Sequence, residues 1–120
     1  MITDLELLKT YSAMAQHAAR RHEVLARTIA NADTPGYKAQ DIEAFAEMYK
    51  AAQRGGAELN VDSAKEIRMA VFGAESPNGN NVSLEDQMLK TAETKGQHDM
   101  ALAIYRKTLD LMRMTMGRKG

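Results

Sequence analysis

At 120 residues the chain is long enough for one domain and too short for two ordinary ones, and its 16 Lys and Arg balance 16 Asp and Glu. That balance removes the net field that nucleic acid or an anionic membrane would require, and the absence of cysteine excludes disulfides, thiolate nucleophiles and Cys-ligated metal centres. With two Phe, four Tyr and no Trp, the apolar content rests on Ala, Leu and nine Met, a mixture suited to helix-on-helix contact.

Met1-Ile2-Thr3-Asp4-Leu5-Glu6 carries acids where a secretory leader needs a basic start and an apolar run. No stretch approaches the roughly 20 apolar residues of a membrane span, so these features read as a soluble chain. From about residue 4 to 32 there is no Pro or Gly, and Leu8, Tyr11, Ala15, Ala18, His22, Leu25, Ile29 and Ala32 follow a 3,4 spacing that predicts one face of a long helix. The stripe is thin at Ala15, Ala18 and His22, where small residues let another helix come close.

Pro35 disfavours helix at Thr34, and Pro35-Gly36 is the dipeptide expected at the centre of a type II turn. Asn31 and Asp33 tolerate left-handed geometry or bond their own backbone, so Asn31 to Tyr37 is predicted as a compact corner. Beyond it, Asp41 is placed as the cap of a short helix carrying Ile42, Phe45, Ala46, Tyr49 and Ala52 and ending at Gly55-Gly56. Leu59 with Val61, then Ile67, Met69 and Val71, alternate as strands do, and the second run also fits a turn of helix. Ser76-Pro77-Asn78-Gly79-Asn80-Asn81 is turn-rich, with Asn-Gly its strongest signal.

Ser83 and Asp86 stand at capping-box spacing before the last long periodic run. Leu84, Met88, Thr91, Lys95, His98, Leu102, Tyr105, Leu109, Met112 and Met116 repeat at 4,3 spacing and predict a helix seam. Ala101, Ile104, Thr108 and Leu111 add a flanking stripe, so the apolar arc is too wide for one partner. Gly96 is expected to interrupt this helix at a cost of about 1 kcal/mol relative to Ala. Gly117-Arg118-Lys119-Gly120 reads as a frayed basic end that suits the negative pole of the helix.

Catalytic chemistry finds little footing. His17 and His22, five apart, fall on different faces and make a poor metal pair, and with His98 they read as surface or seam residues. There is no G-x-S-x-G elbow and no glycine-rich phosphate loop. Glu43, Glu47, Glu85 and Asp86 read as solvated face and cap charges. Met112 and Met116 share a face while Met114 points away, which favours packing over a metal box. The expectation is a non-enzyme with no cofactor, no metal, no nucleic acid and no small-molecule substrate.

Residues Leu25 to Ala39, LARTIANADTPGYKA, resemble the signature of flagellar rod and hook axial proteins, with Asn31, Asp33, Thr34, Pro35, Gly36 and Tyr37 at its centre. Gly79-Asn80-Asn81-Val82-Ser83-Leu84-Glu85 is similar to the entry of the last helix in the proximal rod subunits of that family. Thr28 departs from the usual Asn or Ser of the first pattern. The resemblance implies a structural subunit of the proximal rod in the flagellar basal body, needed for motility and helping to carry torque from rotor ring to hook. It implies export by the flagellar type III system without a cleaved signal. Its partners would be copies of itself, other rod subunits, the adaptor at the rod base, the MS ring and the export gate. The competing class is a soluble helical adaptor or export chaperone.

The expected fold is mainly α: two long terminal helices in an antiparallel coiled-coil-like hairpin around a short middle segment with a short helix and a small β element. One structural domain divides into an N-terminal axial helix over 1–32, a middle segment over 33–82 with turns, the short helix and room for a β-hairpin, and a C-terminal axial helix over 83–120. The seam is expected to run through Leu8, Tyr11, Leu25 and Ile29 on the first helix, and through Leu84, Met88, Leu102, Tyr105, Leu109, Met112 and Met116 on the last.

Overall fold

The computed structural model describes residues 3–55, 59–68 and 75–117. Helix α1 runs Asp4–Ala30. It starts from a capping box in which the Thr3 hydroxyl accepts from the Glu6 N–H at 3.1 Å and the Glu6 carboxylate accepts from the Thr3 N–H at 3.3 Å. Strand β1 is Gln40–Ile42, helix α2 Phe45–Gly55, a 3-10 turn Val61–Ser63, strand β2 Glu66–Arg68, and helix α3 Leu84–Gly117. At 34 residues α3 is about 51 Å long, and the chain measures 68 × 29 × 19 Å. The two long helices pack along each other, as periodicity predicts.

α1 has two working faces. Ala15, Ala18 and Leu25 are buried on the side toward α3. His17, Arg20, Arg21, Val24 and Thr28 face the middle segment. There Val24, Ile42, Met48 and Ala64 form a hydrophobic cluster, with Leu59 packed against it. That cluster is thin, so polar contacts carry much of the attachment of the middle segment. Arg20 donates to the Asp62 and Ala64 carbonyls at 3.2 and 2.9 Å, and the Thr28 hydroxyl bonds both the N–H and the carbonyl of Gln40.

The middle segment departs from expectation at several points. Asp41 does not cap α2, and Ile42 is not on it: both belong to β1, which pairs antiparallel with β2 in the register Gln40↔Arg68, Asp41↔Ile67, Ile42↔Glu66. Arg21 is the cause, because it takes the Asp41 carboxylate with Nε at 3.0 Å and Nη2 at 3.0 Å and holds that residue against α1. Leu59 and Val61 are not strand: the Asn60 side chain accepts from the Asp62 N–H at 3.0 Å and starts the 3-10 turn instead. The sheet therefore joins the chain after the corner to the chain after that turn, rather than forming a local hairpin. Gly56, Met69, Val71 and the terminal Arg118-Lys119-Gly120 lie outside the described residues.

Gly96 does not interrupt α3, which is continuous through it. Neighbouring turns supply enough i→i−4 bonding to carry one poor helix former. Nor is His17 a surface residue. It is buried, its Nε2 donates to the Glu43 carbonyl at 2.7 Å, and its ring meets Phe45 edge-on at 5.6 Å.

Candidate functional site

The two loop motifs lie against each other at the inner end of the hairpin. Asn31 closes α1: its Nδ2 donates to the Arg27 carbonyl at 2.8 Å, and its Oδ1 accepts from the Thr34 hydroxyl at 2.9 Å. It does so without left-handed backbone, since positive φ among the described residues is confined to Gly36 and Gly79. Thr34-Pro35-Gly36-Tyr37 then turns, with the Tyr37 N–H donating to the Thr34 carbonyl at 3.2 Å and Gly36 at φ +75°, as position three of a type II turn requires. Ser76-Pro77-Asn78-Gly79 makes a second turn, closed by the Gly79 N–H on the Ser76 carbonyl at 2.8 Å with Gly79 at φ +85°.

These turns dock backbone to backbone. The Gly36 N–H donates to the Asn78 carbonyl at 2.9 Å, and the Asn81 N–H donates to the Tyr37 carbonyl at 3.2 Å. A Cβ on Gly79 would sit 3.5 Å from Gly36 Cα, so the two glycines mark the point of closest approach. Asn80 is buried in the joint, where its Nδ2 donates to the carbonyls of Asn31 at 2.9 Å and Thr34 at 2.8 Å. Its Oδ1 accepts from the Val82 N–H at 2.9 Å, and the Asn81 Oδ1 accepts from the Ala39 N–H at 2.6 Å. Lys38 adds bonds to the Gly79 carbonyl and to Glu75, the latter at 2.8 Å. Asp33 and Pro35 stand exposed at the rim.

Away from the joint the seam residues divide. Leu25 is buried, and Leu8, Tyr11, Ile29, Leu102, Tyr105, Leu109 and Met112 are half-buried. Leu84, Met88 and Met116 stand out from the subunit, 52, 68 and 72 % exposed, and the expected intrachain seam does not pass through them. The buried line runs through Asn80, Gln87, Thr94, Ala101 and Thr108, one residue in seven. It lies about 60° around the helix from the expected line. A pattern scored by apolar size overlooks small residues, yet small residues are what let two helices approach closely. The Thr94 hydroxyl donates to the Lys90 carbonyl at 2.7 Å, so its burial leaves no donor unpaired. Gln87 differs: it is fully buried, and neither amide atom has a hydrogen-bond partner in the structure.

The charged groups are structural. Arg27 donates to Glu66, and that hydrogen bond, aided by the Glu66 charge, raises the guanidinium pKa above its ordinary value. Lys95 holds the Asp99 carboxyl below the usual range by a hydrogen bond and by its charge. Among the described residues no group of three or more His, Asp and Glu is placed to hold a metal ion, and no helix is long and apolar enough to cross a membrane. His22 and His98 share an open notch of about 410 Å³ with Ala18, Thr94 and Asp99, on the flank of the seam. What sequence reasoning missed is the clamp of His17, Arg20 and Arg21 on the middle segment, whose partners lie 20 to 44 residues away.

No family model matches the chain. Among curated proteins it is 31% identical over 127 aligned positions to the flagellar basal body rod protein FlgB of Agrobacterium fabrum (strain C58), with 95% of each chain covered. It is 32% identical over 102 positions to the protein of that name from Escherichia coli (strain K12), covering 71% of this chain and 74% of the relative. Against that of Salmonella typhimurium (strain LT2) it is 31% identical over 103 positions, covering 72% and 75%.

Proposed function

This chain belongs to the FlgB family of flagellar basal body rod proteins, and we propose that it is a structural subunit of the proximal rod whose large apolar side chains are completed by neighbouring subunits. The observation that carries this reading is the division of labour on α3. Small and polar residues are spent on the intrachain seam, while Leu84, Met88, Leu89, Met100, Leu111, Met114 and Met116 face outward. Exposed large apolar residues gathered on one helix mark an interaction surface. The loop joint supports the reading from the other side, because it sets where α3 starts relative to α1 and so fixes which faces point out.

The surfaces fit further copies of the chain, other rod subunits, the adaptor at the rod base and the MS ring, in the periplasmic part of the basal body. Torque from rotor ring to hook is then carried by many lateral helix contacts rather than by one strong bond. Export through the flagellar type III gate suits a subunit whose middle segment is held to α1 by a small apolar cluster, since little packing there has to be undone before threading. The alternative of a soluble adaptor or chaperone is not favoured, because the relatives are named as rod proteins.

The test is a chromosomal deletion scored for swimming and for rods in purified basal bodies. The strain should be non-motile and rodless, and a wild-type copy should restore both. A copy carrying Leu84→Asp and Met88→Asp should yield a folded subunit that fails to assemble. A motile deletion strain with complete rods would refute the assignment.

A further inference from the structure

Three of the outward-facing apolar residues of α3 belong to a stripe whose charge pattern goes beyond what the rod reading draws on. Leu89, Met100 and Leu111 are spaced by eleven residues, which keeps them nearly in line on a straight helix. They are 63, 47 and 56 % exposed. Glu93 and Lys107 lie in the same stripe, at roughly 100° per residue, seven positions either side of Met100. The stripe therefore reads the same from both ends except for the sign of its charges: Leu89, Glu93, Met100, Lys107, Leu111. Both charged side chains reach solvent, and Glu93 is 3.9 Å from Arg21, whose main partner is Asp41.

We propose that this face binds a second copy of the chain, with the two α3 helices antiparallel and crossing at Met100. Antiparallel placement sets Leu89 of each copy against Leu111 of the other. It sets each Glu93 against a Lys107, and the two Met100 side chains against each other. Each contact occurs twice, as a two-fold interface requires. Parallel placement in register would put Glu93 against Glu93 and Lys107 against Lys107, which is repulsive at both sites. Gly96 lies beside the crossing point, where a Cβ would meet nothing within 4 Å in the subunit. A mid-helix glycine with no neighbour in its own chain suits the approach of another backbone. A two-fold contact closes on itself and cannot propagate a filament. The dimer is thus a state of the unassembled subunit, and it stands or falls separately from the place in the rod.

The chain has no cysteine, so single cysteines report contacts cleanly. In the purified full chain, Met100→Cys should cross-link to itself under mild oxidation. Leu89→Cys should not, but mixed with Leu111→Cys it should give covalent heterodimers. In sedimentation equilibrium, Glu93→Lys should weaken dimerisation by about tenfold or more, and Glu93→Lys with Lys107→Glu should restore it. Helical circular dichroism would verify that each variant remains folded. A chain that stays monomeric at every soluble concentration overturns the proposal. So does self-linking of Leu89→Cys, which is the signature of parallel packing, or a double charge swap that fails to restore association.

Discussion

The side chain of Asn80 reaches across 49 residues of chain to bond the carbonyl of Asn31 at 2.9 Å, tying the entry of α3 to the exit of α1. The same amide takes the Thr34 carbonyl at 2.8 Å, and the site is buried. Asn80→Ala leaves two carbonyls and the Val82 N–H without these partners, and is expected to destabilise the subunit by about 2–3 kcal/mol. Asn80→Asp should cost at least as much, because it aims a carboxylate at two carbonyl oxygens. Urea unfolding of the purified variants measures both. A loss under about 0.5 kcal/mol for either would mean that the joint does not hold the hairpin.

Gly36 and Gly79 test the turns separately from the contacts. At Gly36 a Cβ meets nothing, so Gly36→Ala probes the positive φ alone and should cost about 1–2 kcal/mol. Gly36→Asn should cost less, since Asn visits that region more readily. Thermal melting resolves the order Gly, Asn, Ala. An Ala variant as stable as the parent would sink the turn assignment.

Gln87 predicts a gain. Its amide is fully buried with no partner, so Gln87→Leu removes an unmet polar group at similar volume and should stabilise the isolated subunit by about 1–2 kcal/mol. The urea midpoint should rise. If it falls, the amide has a partner, such as an ordered water, and the seam is less dry than drawn.

Arg21 and Asp41 form a bidentate pair that is nearly withdrawn from water. Removing either partner leaves the other charge stranded and should cost about 3 kcal/mol, while Arg21→Met with Asp41→Leu should cost less than the sum of the single changes. A double-mutant cycle measures the coupling. Additive losses would show that the middle segment is held by other contacts.

The Asp99 carboxyl offers a pH check. Lys95 depresses its folded pKa from a reference of 3.8, so any stability from the pair is present above that value and lost as pH falls through the folded one. Breaking the pair should therefore remove its small contribution at neutral pH and have no effect once pH has fallen below the folded value. An NMR titration of Lys95→Met should find the carboxyl raised toward its reference. An unchanged titration would mean that the exposed pair forms only transiently.

How much of this was legible depends on whether the cause was local. Thr34-Pro35-Gly36-Tyr37 and Ser76-Pro77-Asn78-Gly79 were readable, because Pro and Gly at those offsets leave the backbone few choices. The two long helices were readable because apolar spacing persists over many turns. Asp41 was not, since a carboxylate before Ile42 and Phe45 serves equally well as a cap until Arg21 claims it. The seam departs from expectation at Leu84, Met88 and Met116 for a related reason. Met88 and Leu84 outweigh Gln87 and Thr94 on any scale of apolarity, but the intrachain contact buries the polar and small residues of α3. The mutual docking of the two motifs had no local signal. It follows from which carbonyls Asn80 meets once the chain is folded.

The joint also separates the two ends of the molecule from what lies between them. Lys38 and Glu75 are paired across it, and Ala39 is bound to Asn81, so the polypeptide leaves and re-enters at nearly one point. The ends of the excursion stay fixed however long it is, and each doubling of a closed loop adds only about 0.6 kcal/mol of closure entropy. Lengthening the chain inside that excursion, at positions away from the Asp41, Glu43, Asp62 and Ala64 contacts with α1, should therefore leave the helix pair undisturbed. The fold would then work as a socket whose insert can grow outward from its anchored base, in which assembly resides in the helices and variation in the segment between them.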